Sequence, residues 1–172
     1  MKTLVAVLLL TLGSLTASTA QVQWMTLETA LERQADEPRK ILVDLYTDWC
    51  GWCKTMDRTT FSDPTLSKYI NENYYPVKFN AESSLPLTFR GKEYKFRKQG
   101  QRGYHEFAAH LTRGNLSYPT TVFLNADGSV IQAVPGYQKA VDFEPIVRYF
   151  SEDHHRKTPW DAYRRDYVPL VD

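Results

Sequence analysis

Cys50 and Cys53 are the only thiols in the 172-residue chain, and Gly51-Trp52 separates them. They follow an apolar run, Ile41 to Tyr46, interrupted only by Asp44. A buried strand that gives way to a helix at Cys50 puts the first thiol where unpaired helix N–H groups favour a thiolate. The second thiol then lies one turn further on, close enough to close a ring with the first. Such a pair can exchange disulfides: one thiolate attacks a client disulfide, and the second thiol resolves the mixed disulfide. Run backwards, the same steps oxidise a client. A pair this close in sequence cannot pin a fold, since structural frameworks use several widely spaced bridges.

Two charged residues on neighbouring apolar stretches bear on that chemistry. Burial of Asp44 would raise its pKa, because the ionised form loses water. It could then take the proton from Cys53 as that thiol becomes a nucleophile; the other reading is a side chain that reaches solvent at the strand end. Lys78, between Val77 and Phe79, can tune Asp44 electrostatically or simply belong to a solvated face. A metal site is the competing use of the thiols, because His105 and His110 have a spacing found in zinc sites. On a helix, residues five apart do not share a face, so both are read as ordinary surface histidines. No metal and no cofactor is expected.

The elements that must hold these residues can be read in order. Thr26 caps a helix carrying Leu27, Ala30 and Leu31 on one face, ended by Pro38. Ile41 to Thr47 reads as a strand buried on both sides. A helix starts at Cys50, and Asp63-Pro64 opens another through Leu66, Tyr69 and Ile70. Tyr74 to Ala81 is the next strand, which completes a βαβ unit and favours a parallel pair. Residues 82–103 break the pattern with three glycines and six basic against two acidic residues, and read as an insertion. Within it, Leu87-Thr88-Phe89 and Tyr94-Lys95-Phe96 would pair as a hairpin around Gly91. A helix over Tyr104 to Leu111 is expected, stopped by Arg113-Gly114. Thr120 to Asn125 and Ser129 to Val134 then flank an Asp127-Gly128 turn. Val141 to Phe150 is the last long helix, and residues 151–172 form a polar tail whose Trp160, Tyr163 and Tyr167 share helical spacing.

Composition narrows the class further. Met1-Lys2, the apolar Leu4 to Leu12 and Ser18-Thr19-Ala20 read as a cleavable export signal over residues 1–20, giving a periplasmic or secreted protein that starts near Gln21. The apolar stretch is shorter than the ~20 residues that span a bilayer, so no stable membrane insertion is expected after cleavage. Without Lys2 the chain has 20 basic and 20 acidic side chains, a balance that excludes a nucleic-acid footprint. Residues 21–150 suffice for one domain with its own core. An Asn115-Leu116-Ser117 sequon would place a glycan beside Tyr118 and Pro119, which favours a bacterial periplasm over a eukaryotic secretory route.

This order of βαβ unit, proline-led hairpin and final helix resembles the thioredoxin fold, an α/β class with a central mixed sheet flanked by helices. Trp49-Cys50-Gly51-Trp52-Cys53-Lys54 after Ile41-Leu42-Val43-Asp44 is similar to the family's active-site strand and motif. Lys78-Phe79-Asn80 resembles its lysine-bearing strand, Tyr118-Pro119-Thr120 its cis-proline loop, and Gly136 the glycine after its hairpin. The resemblance implies catalysis by Cys50, as an exposed nucleophile, and Cys53, with Asp44 and Lys78 assisting. It implies a client-binding rim of Trp49, Trp52, Tyr118 and Pro119, where the Tyr118 backbone pairs with an extended client by strand addition. Trp49 packed in the core and Trp52 as a mere shield are the alternatives. Thioredoxin itself has Gly-Pro where this chain has Gly51-Trp52, and it lacks the insertion and tail. Expected partners are protein disulfides or dithiols, with a membrane thiol reductase as a possible electron donor. Reduction of disulfides is the expected direction; dithiol oxidation, isomerisation and a non-catalytic zinc- or client-binding module are the other readings.

Overall fold

Strand β1 (Lys40–Tyr46) explains the placement of the rest, because five consecutive residues at its centre are buried. A strand buried on both faces must sit inside a sheet covered on each side. The computed structural model, which describes residues 21–171, shows this arrangement. β1 is flanked by β2 (Tyr74–Asn80), parallel to it, and by β7 (Thr120–Leu124), antiparallel; β8 (Val130–Pro135) pairs with β7 and closes the order β2-β1-β7-β8. The proposed export signal lies outside the described residues.

Side chains alternate across the pleat. Ile41, Val43 and Leu45 enter a core with Leu27, Ala30, Val77 and Phe107. Leu42 enters the opposite core with Met56, Phe61, Leu66, Ile70 and Phe143. The same alternation puts Asp44 on the side of Leu42. Helices α1 (Leu27–Asp36) and α4 (Glu106–Leu111) cover the first face; α2 (Gly51–Thr59), α3 (Pro64–Asn73) and α5 (Ala140–Ser151) cover the second. Local chemistry starts the helices where the side chains allow it. Thr26 Oγ1 accepts from the Thr29 amide at 3.2 Å, and Asp63 Oδ1 accepts from the Leu66 amide at 2.8 Å.

The insertion differs from its expected form. It contains two hairpins, β3 (Leu87–Phe89) with β4 (Lys92–Tyr94), and β5 (Phe96–Gln99) with β6 (Arg102–His105). The first is tighter than expected because Arg90 and Gly91 both take positive φ, 51° and 75°, the requirement of a two-residue I′ turn. That turn pairs Phe89 with Lys92, so the returning strand ends at Tyr94 and frees Phe96 for the second hairpin. Gly103 permits the second: a Cβ there would stand 2.2 Å from the Phe96 ring. Tyr104 and His105 are consequently strand residues, and α4 begins at Glu106. Leu87, Phe89 and Tyr94 are buried with Phe107, so the segment belongs to the core.

His105 is corrected as well. It is fully buried, its Nδ1 accepts from the Phe107 amide at 3.1 Å, and its Nε2 donates to the Leu85 carbonyl at 3.0 Å. Both ring nitrogens therefore serve as a helix cap and a staple for the insertion; burial lowers its pKa and keeps it neutral. His110 is exposed, as expected.

The tail docks through one buried carboxylate. Glu144 on α5 is wholly buried; its Oε1 accepts from Arg148 Nε at 2.9 Å and its Oε2 from the Leu170 amide at 2.7 Å. Trp160 and Tyr163 of α6 (Trp160–Asp166) pack on the second core. Glu144→Gln, which keeps the shape but removes the charge from these bonds, is expected to cost about 2 kcal/mol. Urea denaturation measures the loss, and faster proteolysis beyond Phe150 locates it.

Candidate active site

Cys50 and Cys53 form a disulfide, with their Cα atoms 5.3 Å apart. Cys50 is the N-cap of α2, and its Sγ accepts from the Cys53 amide at 3.0 Å. The sulfurs therefore sit at the positive end of the α2 dipole. One expectation needs correction: Cys50 is 4% exposed and Cys53 3%, so neither stands out as the accessible thiol. The bridge holds Cys50 Sγ against the first turn of its own helix. Exposure at the site belongs to the flanking indoles, Trp49 at 52% and Trp52 at 63%.

Those indoles are held by distant parts of the chain. Trp49 meets the Tyr118 ring edge-on at 6.1 Å, and its Nε1 donates to Glu82 Oε2 at 3.0 Å. The Arg102 guanidinium lies over the Trp49 ring at 4.5 Å. Trp52 leans on Tyr137 at 5.3 Å. Tyr118 precedes Pro119 through a cis peptide bond, and Pro119 is buried. Burial, with the charge of Glu82, pushes the Tyr118 hydroxyl up to about 12, so the ring is neutral.

On β1, six residues before Cys50, Asp44 is 1% exposed and lies opposite Lys78 in the parallel register. Lys78 Nζ donates to Asp44 Oδ2 at 2.8 Å and also reaches Asp57 Oδ1. Asp44 Oδ1 is buried without a partner. Burial raises the Asp44 pKa, and the attraction of Lys78 offsets this only in part. For Lys78, burial acts downward but is outweighed by the two carboxylates, which raise its pKa and keep it charged. The Trp24 and Tyr46 rings approach the ammonium at 4.9 and 5.1 Å.

The buried Asp44 and the half-buried Lys78 thus form one ion pair on the sheet face that carries α2, and Trp49, next to Cys50 in the chain, meets Tyr118. Asp57, Glu82, Arg102 and Tyr137 escaped the reading of the sequence. Only Asp57 had a local signal, four positions after Cys53 and hence on the same helix face. The others come from remote loops and hairpins. Among the described residues no cluster of three potential metal ligands occurs.

Residues 27–151 match the family model of the thioredoxin-like domain. The chain belongs to this family. The thiol:disulfide interchange protein DsbD of Pectobacterium atrosepticum is 26% identical over 119 residues, which are 68% of this chain and 17% of that protein. The chain therefore spans only a small part of the length of such relatives. Among solved structures, the DsbH oxidoreductase superimposes with a TM-score of 0.56 at 18% identity, covering 86% of this chain and 95% of that one. A thioredoxin from Thermus thermophilus gives 0.55 at 18% identity, covering 81% and 99%. These likenesses establish the thioredoxin fold. The family match, the paired cysteines of this thioredoxin-like domain and its interchange-protein relatives together support a thiol–disulfide oxidoreductase.

Proposed function

We propose that the chain is an exported, periplasmic thioredoxin-like protein that reduces disulfides in client proteins. The supporting observation is the Cys50–Cys53 pair at the N-terminus of α2, on the sheet face that carries the buried Asp44 and its partner Lys78. The reduced form starts with a Cys50 thiolate, favoured by the free N–H groups of α2. It attacks one sulfur of the client disulfide, and the other sulfur leaves as a thiolate and takes a proton. Cys53 then gives its proton to the Asp44 carboxylate and attacks Cys50 Sγ, which expels the second client sulfur and restores the disulfide. Lys78 steadies the charge on Asp44.

Trp49, Trp52, Tyr118 and Pro119 form the client-facing rim in this reading. Because Cys50 is nearly covered in the oxidised form, a client thiol or an electron donor gains access through a local shift of this rim. The donor that returns electrons would be a membrane thiol reductase. Among the described residues no helix is long and apolar enough to cross a membrane.

Equilibration with glutathione buffers, followed by trapping of free thiols, tests the direction. A reductant is expected nearer the ~−270 mV of thioredoxin than the ~−120 mV of DsbA. A potential at the oxidising end would instead support dithiol oxidation or isomerisation. Sequencing the N-terminus of the protein recovered from a periplasmic extract tests export, with Gln21 as the expected start.

A further inference from the structure

Arg102 is the one cation of the insertion placed at the redox site. It lies on β6, opposite Gln99, at the turn end of the second hairpin, and its guanidinium covers the face of Trp49, the residue preceding Cys50. Its basic neighbours are occupied otherwise. Lys95 pairs with Glu93, Arg97 with Glu106, and Lys92 lies over Tyr94; Arg90 lies against the turn at Gly128, and Lys98 occupies the opposite face of the hairpin. Among the described residues no carboxylate lies within ion-pair distance of Arg102, and the residue is exposed. Stacking on an indole fixes the plane of a guanidinium while its edge donors remain free to bind a carboxylate in a two-pronged fashion.

We propose that Arg102 is a specificity-determining residue that selects clients with an acidic side chain next to the disulfide cysteine. The inference rests on the thiol–disulfide exchange set out above and names its substrate class. Trp49 connects the two halves of the argument: the residue that carries Arg102 directly precedes the nucleophile, so a carboxylate bound there brings its neighbouring sulfur to Cys50. Two acidic residues share the rim. Glu82 spends Oε2 on Trp49 Nε1, and Asp48 Oδ2 accepts from Asn80 Nδ2 at 3.2 Å. Glu82 thus sits at the edge of the indole whose face Arg102 covers, and the preference for an acidic client is the attraction of Arg102 net of that charge.

The test uses two short peptides, each with one disulfide, identical except for Glu or Lys beside the first cysteine, together with the uncharged hydroxyethyl disulfide. At low salt the pre-reduced protein, in excess over peptide, is expected to reduce the Glu peptide with a second-order rate constant about fivefold that for the Lys peptide, the factor an exposed ion pair supplies. High salt should shrink the ratio. R102Q is expected to abolish the preference, R102E to reverse it, and R102K, which keeps the charge but not the planar fork, to retain only part of it, while hydroxyethyl disulfide is reduced equally by all four proteins. A wild-type ratio of one, or a ratio unchanged by R102Q, would overturn the role of Arg102. Failure of every protein to reduce hydroxyethyl disulfide would overturn the exchange reaction instead.

Discussion

Replacing Cys53 with serine is expected to yield a protein that attacks client disulfides once and then stays bound to them. The step that frees the client needs a second sulfur within bonding reach of Cys50, and the observed bridge shows that only Cys53 supplies it among the described residues. Turnover of a protein disulfide should fall to the uncatalysed level, and mixed disulfides should accumulate on Cys50. Non-reducing electrophoresis and mass spectrometry of the trapped species read both effects and identify the clients. Cys50→Ser should be equally inactive but should trap nothing. Both cysteines are almost equally buried in the oxidised form, so this asymmetry must come from the geometry of α2. Cys50 caps the helix and faces its free N–H groups, whereas Cys53 lies within the first turn. Trapping on Cys53 in the Cys50→Ser protein would reverse the assignment of nucleophile and resolving thiol.

Asp44→Asn should have the second-largest effect, in opposite directions on rate and stability. Without a carboxylate to accept the proton of Cys53, resolution of the mixed disulfide should slow about a hundredfold near neutral pH. Raising the pH should recover part of the loss as Cys53 ionises unaided. The stability effect follows from the raised pKa of Asp44, caused first by burial and only partly offset by Lys78. Below the ordinary value of 3.8 the carboxyl is protonated in both folded and unfolded chains, and it contributes no pH dependence. Above that value the unfolded chain ionises freely while the folded one keeps its proton, so stability falls as pH rises through the window up to the folded pKa. By neutral pH the wild-type protein has therefore lost stability that an uncharged side chain at this position would keep, and Oδ1 is unsatisfied. Asp44→Asn should be the more stable protein there, with an advantage that vanishes below the ordinary carboxylate pKa. Urea denaturation across pH measures it. A variant less stable than wild type at neutral pH would mean that Lys78 supports Asp44 more strongly than burial opposes it.

Strands β1 and β2, the capped helices α1 and α3, and the cysteine turn were legible in the chain because each follows a short-range rule. Pleat alternation, an N-cap side chain and a first-turn proline all act within a few residues. The buried Asp44 and its facing Lys78 were legible for the same reason, as polar interruptions in two apolar runs that a parallel register brings together. The insertion was only partly legible. Its glycines announced turns, but the tight Arg90-Gly91 turn moved the pairing by two residues and turned the start of an expected helix into a second hairpin. His105 has the composition of a surface residue; only the packing of that hairpin against Leu85 and α4 buries it.

The sequence by itself determined the thiol pair, the strand-to-helix turn that holds it, and the carboxylate and ammonium that face each other on adjoining strands. Each depends on residue type and on spacings set by the fixed periods of helix and strand. Only the tertiary structure decided what surrounds the sulfurs: Asp57 sharing Lys78, Glu82 and Arg102 gripping Trp49, and the depth at which the disulfide is covered. Those contacts join residues on separate elements, so their distances follow from the way the sheet, helices and hairpins pack, and no local spacing encodes that packing.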